Sequence, residues 1–447
     1  MTSLARTANA EALVDTVLPT GPRFRIYNTY RYATDYIGAM QRWHERWGPT
    51  FTLRDVAGTS VVTSDPELIC ELFAEGRSEV FAAGAPDSFD VLVGTRSLLH
   101  LPGAAHQQRR KLLNPAFSRE AMGAWTDAVL DATRVELDAL PRQGRFVAVQ
   151  ATRRITLRVM TKLVFGALGE RDAAIRETVL RLAANLHPSF LLVRGLQREW
   201  GGRSAFGRFM AASRALDRLL LEQVAERRAA PHDSLLDRMI ASVDEQGRAL
   251  DDATLVDELR NLLFGGHETT ARSLAWALDY LHRDRELLER ARRELAAVDE
   301  PAALLRHPLL SAIIDETLRI RPIAGQLFRV LARPLALGRW RLPAGVIISP
   351  APCLVHHRRD LWPEPERFDP ERFLSGHPRP GTFIPFGGGV HRCLGSNLAR
   401  FELALVLGTL LREYAFELVE AQPPAWVRDG LPLGPAGGVP LRLLGRA

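Results

Sequence analysis

The chain has 447 residues, 46% of them hydrophobic and 25% charged, and a formal net charge of +6. That composition supplies a large apolar core and excludes the disordered, collagen-like and low-complexity classes. Three cysteines, Cys70, Cys353 and Cys393, are too few and odd in number for a disulfide scaffold, so a reducing, cytoplasmic setting is expected.

Residues 1–22 contain no uninterrupted apolar span and carry Arg6, Glu11 and Asp15, so they read as an N-terminal extension, neither signal peptide nor membrane anchor. Pro19-Thr20-Gly21-Pro22 marks an opening turn. A helix closes over Trp43–Gly48, and Phe51-Thr52-Leu53 alternates with Val61-Val62-Thr63 like a small hairpin. Pro66–Glu75 is helical, and Cys70 within it reads as a packing residue. Ala82–Gly103 is glycine-rich and irregular, in the manner of a loop that lines something. His106-Gln107-Gln108-Arg109-Arg110 then opens another helix.

From Ala121 to about Arg228 the apolar residues recur at helical spacing, as in Val129, Leu130, Ala132, Val135, Leu137 and Leu140; His187–Gly195 breaks the run. A long central helix is expected over 251–283, with acidic residues in its first turn as the helix dipole favours. Gly265-Gly266 interrupts it. Two glycines inside a helix cost about 1 kcal/mol each relative to alanine, so they need a reason. Either the helix widens there to admit a ligand, or another helix packs closely. Glu268 and Thr269 follow at once, an acid and a hydroxyl placed for a proton relay.

Glu316 and Arg319 lie at i, i+3 on a later helix and share one face. Leu335–Leu354 alternates, turns at Pro343-Ala344-Gly345 and includes Cys353 as a second packing cysteine. A proline-rich coil from Trp362 to Pro385 leads into Phe386-Gly387-Gly388-Gly389-Val390-His391-Arg392-Cys393-Leu394-Gly395. An apolar helical run follows, then a strand pair around Gly434–Gly437. A lone cysteine at a helix mouth has its thiolate favoured by backbone N–H groups, and the glycines allow the main chain to approach something flat. One thiolate cannot complete a zinc or iron–sulfur site, but it can be the axial ligand of a haem iron.

The ten-residue stretch resembles the haem-binding loop of the cytochrome P450 family, Phe-x-x-Gly-x-[Arg/His]-x-Cys-x-Gly, through Phe386, Gly389, His391, Cys393 and Gly395. Three other segments resemble the family in order: His106 with Arg110, Gly266 to Thr269, and Glu316 with Arg319. The resemblance implies a mainly α fold with a minor β region, a single triangular-prism domain over 1–447, and haem b held by the Cys393 thiolate, with no bound flavin or iron–sulfur cluster. It implies that Thr269 engages dioxygen and Glu268 feeds protons. His106, Arg110, Arg329 and His391 become the propionate partners, with Arg109 facing solvent unless a one-residue shift exchanges it with Arg110. The Pro-Glu-Arg-Phe segment occurs twice, so Arg372, or Arg367 as the alternative, completes the Glu316–Arg319 pair.

Apolar lining of the substrate pocket is expected from the 82–101 loop, Leu262, Phe264, Ile323, Ala324, Leu327 and Leu431, with Gln326 as an orienting hydrogen-bonder. A lipophilic substrate such as a fatty acid, terpenoid, steroid or polyketide follows, with O2 as co-substrate. Few residues remain after the C-terminal strands, so electrons are expected from a ferredoxin or flavodoxin served by an NAD(P)H-dependent reductase. A basic patch near Cys393 would steer such an acidic donor. Nucleic acid is not expected, since no basic run interleaved with aromatics suggests it. A monomeric monooxygenase is the main expectation. A peroxide-driven or isomerising haem-thiolate enzyme, and a non-catalytic haem-binding sensor, are the alternatives.

Overall fold

The computed structural model describes residues 17–446 apart from 75–77, 84–88, 118–121, 124, 141–142, 167–169, 188–189, 191–193, 429 and 431. Helices dominate. The longest, Asp252–Arg283, runs through the helical core with Asp251 as its N-cap, the side chain accepting from the Thr254 N–H at 2.7 Å. Asp252 in its first turn complements the helix dipole, as the sequence led one to expect, and His282 and Arg283 in its last turn do the same. The helix is continuous through Gly265 and Gly266, so the expected interruption is absent. Hydrogen bonding of the surrounding turns carries it across both glycines.

Helix Ala148–Phe165 packs against this central helix, burying Ile155, Val159, Met160 and Leu163, and Ser396–Glu413 packs on another side with Leu403, Val406, Leu407 and Leu410. A strand at Arg145–Val147, unforeseen inside the helical stretch, pairs with Pro440–Arg446, which pairs in turn with Tyr414–Leu418. The chain turns at Gly437-Gly438 without making the expected hairpin. Leu433–Pro435 pairs instead with Trp426–Arg428, so the two C-terminal strands belong to different sheets.

The expected hairpin is present: Thr50–Arg54 pairs antiparallel with Thr59–Thr63, Phe51 opposite Val62. It continues through Ile347–Pro350 and Arg329–Leu331 to Phe81–Ala83, five strands in all. The register of that sheet, Arg329 opposite Ile348, carries Arg329 to the side where the cysteine loop lies. Leu335–Leu354 is less uniform than its alternation implied. Leu335–Leu337 and Trp340–Leu342 form a hairpin around Gly338 (φ +52°), and Cys353 sits in a short helix, Pro352–Val355.

Candidate active site

The cysteine loop is built from close backbone approaches. A Cβ on Gly388 would lie 2.2 Å from the Phe73 ring, and one on Gly389, whose φ is +62°, would lie 2.9 Å from the Phe73 carbonyl oxygen. The Cys393 N–H donates to the Phe386 carbonyl at 2.9 Å, folding the loop back on itself just before helix Ser396–Glu413. Gly395, the N-cap of that helix, offers its backbone N–H to the thiol. Burial pushes the thiol up, while this N–H and the Arg110 and Arg392 guanidiniums pull it down. Cys393 nevertheless keeps accessible surface, so the sulfur is reachable from one side.

Four side chains named from the sequence converge beside this loop. The His106 and His391 rings lie 4.2 Å apart between centroids. Arg110 Nη1 donates to the Arg392 carbonyl at 2.5 Å, and Arg329 Nη2 donates to the His391 carbonyl at 3.2 Å. Among the described residues no carboxylate joins them. His106 Nδ1 and both ring nitrogens of His391 are buried without a hydrogen-bond partner. Burial and the neighbouring guanidiniums draw His106 down to about 4 and His391 to about 2, and burial draws Arg329 down to about 10. Buried cations without an anion are costly, so the cluster fits a ligand that brings negative charge. The propionates of a haem are such groups, whereas the close approaches at Gly388 and Gly389 are taken up by Phe73.

Arg109 departs from expectation. Its Nη1 donates to Glu258 Oε1 at 2.8 Å and to the Arg96 carbonyl at 3.2 Å, because helix Gly103–Leu113 turns it toward the central helix and away from solvent. Glu258 Oε1 also accepts from the Leu98 N–H at 2.9 Å, and Asp257 Oδ2 from the Arg96 N–H at 2.9 Å. These neighbouring carboxylates clasp the loop before His106 to the central helix. Burial pushes the Glu258 carboxyl up to about 7 against the pull of Arg109.

Across the central helix, the two glycines separate in role. A Cβ on Gly266 would meet Met160 at 2.8 Å, which is close packing, whereas one on Gly265 would meet nothing within 4 Å. Leu262, Gly265 and Thr269 lie on one face at i, i+3, i+7. Gly265 and Thr269 are exposed in the middle of an otherwise buried helix, so this face borders open space. Thr269 Oγ1 donates to the Gly265 carbonyl at 2.6 Å. Glu268 points elsewhere. It is 4% exposed, bonded by Arg153 Nε at 2.8 Å and by Arg272 Nε and Nη2 at 2.9 and 2.6 Å. Burial opposes its charge, but the two arginines outweigh it and hold the carboxyl below its usual range.

Of the expected pocket residues, Leu262, Phe264 and Leu327 are half-buried, Ala324 is exposed and Ile323 is buried, its carbonyl accepting from the Leu433 N–H. Gln326 corrects the expectation of a free orienting group. Its Oε1 accepts from the Tyr32 and Tyr36 hydroxyls at 2.8 and 3.1 Å, and its Nε2 donates to Ser349 at 3.2 Å, so its amide is already engaged. Leu431 and residues 84–88 of the loop lie outside the described residues.

Glu316 and Arg319 are fully buried and joined by two bonds, at 2.6 and 2.7 Å. Glu316 also accepts from the Asp369 N–H at 2.9 Å, and Arg372 Nε stands 3.5 Å from it. The guanidinium of Arg367 lies in solvent beside Glu364, and only its carbonyl reaches Arg319, so Arg372 is the third charge. Sequence reasoning missed His356. It is fully buried, bonded through Nδ1 to the Arg319 carbonyl at 3.1 Å, while Nε2 accepts from the Ile384 N–H at 2.9 Å. It ties the Glu316–Arg319 helix to the coil that leads to Phe386.

A fold of this kind, with one cysteine at a helix mouth beside an anion-seeking cluster, is the arrangement expected of a haem-thiolate protein. The chain belongs to the cytochrome P450 family, whose sequence model matches residues 19–435. It is similar to a protein provisionally named cytochrome P450 135B1 from Mycobacterium tuberculosis strain H37Rv, 35% identical over 408 residues, covering 88% of this chain and 84% of the relative. A second, provisionally named cytochrome P450 137 from the same organism, is 31% identical, covering 95% and 90%. Among solved structures, retinoic acid-bound cyanobacterial CYP120A1 aligns with a TM-score of 0.86 at 25% identity, covering 96% of this chain and all of that one. The haem domain of cytochrome P450DA aligns at 0.84 with 21% identity, which speaks to the fold.

Proposed function

We propose that the chain is a haem-thiolate monooxygenase that converts a lipophilic substrate R–H, with O2, two electrons and two protons, to R–OH and water. The observation that carries this reading is the single thiol at the mouth of Ser396–Glu413 beside a buried cluster that lacks a protein anion among the described residues. In this reading Cys393 holds the iron of haem b, and His106, Arg110, Arg329 and His391 face its propionates, with Phe386 and Gly395 shaping the loop. When bound, the haem supplies activation of O2, to which the thiolate's electron donation contributes.

The chain's own residues position and protonate. Thr269 offers its hydroxyl on the open face of the central helix, and the proton at Oγ1 is exchangeable once the bond to Gly265 is released. Glu268, the neighbouring residue, is held as a carboxylate by Arg153 and Arg272, so it relays a proton by first accepting one when a bond to those arginines is released. Leu262, Phe264, Ile323, Ala324 and Leu327 present apolar surface and exclude water, which favours an apolar substrate. The retinoic acid in a structural neighbour supports an isoprenoid or fatty-acid-like molecule within that class. Electrons come from a ferredoxin or flavodoxin with its NAD(P)H-dependent reductase, docking where Arg392 is exposed beside Cys393. The reading takes 1–447 as one monomeric, cytoplasmic catalytic domain.

The test is the ferrous carbonyl spectrum of the purified protein, followed by a screen of lipophilic compounds for a haem spectral shift and identification of products by mass spectrometry. A thiolate spectrum that Cys393→Ala abolishes supports the reading, and an imidazole or water signature in the native protein overturns it. Product formed with peroxide alone, but not with NAD(P)H and donor proteins, would assign a peroxide-driven enzyme. Ligand uptake with no oxygenated product under either regime would assign a sensor.

A further inference from the structure

Arg428 is a desolvated cation for which the described residues supply no counter-charge. It stands opposite Leu433 where Trp426–Arg428 pairs with Leu433–Pro435, and directly opposed residues of an antiparallel pair share one face of the sheet. That face meets Tyr32 of helix Arg25–Thr34 and Tyr36 of helix Tyr36–Trp47. The guanidinium lies over both rings, 4.5 and 4.2 Å from their centroids, and its Nε is buried without a hydrogen-bond partner. The groups that act on it most are Tyr32, Tyr36 and Cys353. Burial pushes both phenols up, and the thiol up to about 12, so all three stay neutral near pH 7. Asp55 acts on Tyr32, but its Oδ1 accepts from the Ala57 and Gly58 N–H groups at 2.9 Å each, and Arg25 acts on it in turn. Among the described residues no carboxylate forms an ion pair with Arg428. A guanidinium desolvated in this way is costly unless an anion joins it.

Position joins this charge to the apolar segment already described. The Leu433 N–H donates to the Ile323 carbonyl at 2.9 Å. A Cβ on Gly325 would lie 2.6 Å from Tyr36 and 2.9 Å from Leu433, so the cluster packs directly against residues 323–327. Arg428 itself is half-buried and not sealed off. We propose that Arg428 receives the carboxylate of a lipophilic acid whose hydrocarbon body lies along residues 323–327. The planar fork of one guanidinium fits the two oxygens and the single charge of a carboxylate. A phosphate would bring a second charge with no second free cation: Arg321, which lies over the Trp426 ring, has Glu366 3.8 Å away. The Tyr32 and Tyr36 hydroxyls give their protons to Gln326, which fixes both rings beneath the guanidinium. Nothing in the run Trp426-Val427-Arg428 signals this site, because the two tyrosines come from the opposite end of the chain. The inference rests on the monooxygenase reading and narrows its substrate class to amphiphilic acids.

The test is spectral titration of the haem-loaded protein with dodecanoic and hexadecanoic acids, each beside its alcohol and its methyl ester. The acids should bind about tenfold more tightly than their neutral partners. Arg428→Gln should remove that preference, so that acid and alcohol bind alike. Arg428→Lys, which keeps the charge without the fork, should retain part of it and serves where the glutamine variant does not fold. The ferrous carbonyl spectrum of each variant reports its folding. Acids and alcohols that bind alike to the native protein, acids that do not bind at all, or a preference that survives Arg428→Gln overturns the proposal. So does a preference that Arg428→Lys raises or leaves unchanged. Any of these results beside an intact thiolate spectrum sinks this inference alone and leaves the reading at Cys393 standing.

Discussion

Thr269 and Glu268 are neighbours in sequence with different surroundings. Thr269 is exposed and bonded only within its own helix, to the Gly265 carbonyl, so removing its hydroxyl disturbs no packing. Thr269→Ala is therefore expected to keep its haem and fold while diverting electrons to peroxide, and Thr269→Ser to restore coupling. The measurement is peroxide formed per NAD(P)H consumed, and unchanged coupling in the alanine variant would remove Thr269 from the reaction. The order Gly265-Gly266-His267-Glu268-Thr269 was enough to point at both side chains. What holds Glu268 was not legible, because Arg153 comes from a helix more than a hundred residues earlier.

At the scale of elements, glycines and clasps decide how the helices meet the loop. Gly388→Ala drives a methyl group into the Phe73 ring and should destabilise by about 1–3 kcal/mol with loss of haem content. Gly265→Ala meets nothing and should instead stabilise the helix by up to about 1 kcal/mol, while perturbing ligand spectra because it faces the same open space as Thr269. Thermal melts of the two variants, read beside haem absorbance, separate packing from conformational freedom. The Asp257–Glu258 clasp yields a third expectation. Glu258→Ala removes the acceptor for the Leu98 N–H and the partner of Arg109, so the Leu98 amide should exchange hydrogen faster. Protection that is unchanged at Leu98 would show that the loop is held by something else.

For the whole molecule, the buried polar network sets both the fold's integrity and its acid limit. Glu316→Gln leaves the fully buried Arg319 without its carboxylate, a loss of about 3–5 kcal/mol. The expected outcome is a protein that accumulates poorly and without haem, measured by haem-to-protein ratio, whereas Arg367→Ala should be near neutral because that guanidinium lies in solvent. Burial lowers His267, His282 and His356 below the ordinary histidine value. A folded-state value below the unfolded one means that the unfolded chain binds the proton more readily. Their contribution is therefore complete above about pH 6.5 and is lost progressively as pH falls below it. Melting temperature against pH should decline through that window, and His356→Gln should flatten part of the decline.

Local chemistry was readable along the chain because each signal needs only its neighbours. A cysteine among glycines, an acid and a hydroxyl on one helix turn, a Glu and an Arg at i, i+3, and the acidic first turn of the helix that starts near Asp251 depend on spacing alone. Pairing over long separations was not readable. The hidden strand at Arg145–Val147, the divergence of the C-terminal strands, the turning of Arg109 toward Glu258, the engagement of Gln326 by two tyrosines and the pin at His356 all depend on which distant segment lies alongside. Sequence determined the family and singled out one sulfur, that of Cys393, for the proposed role. Only the packed chain decided which charges were left without a partner, because burial is a property of the whole fold and not of any one stretch of it.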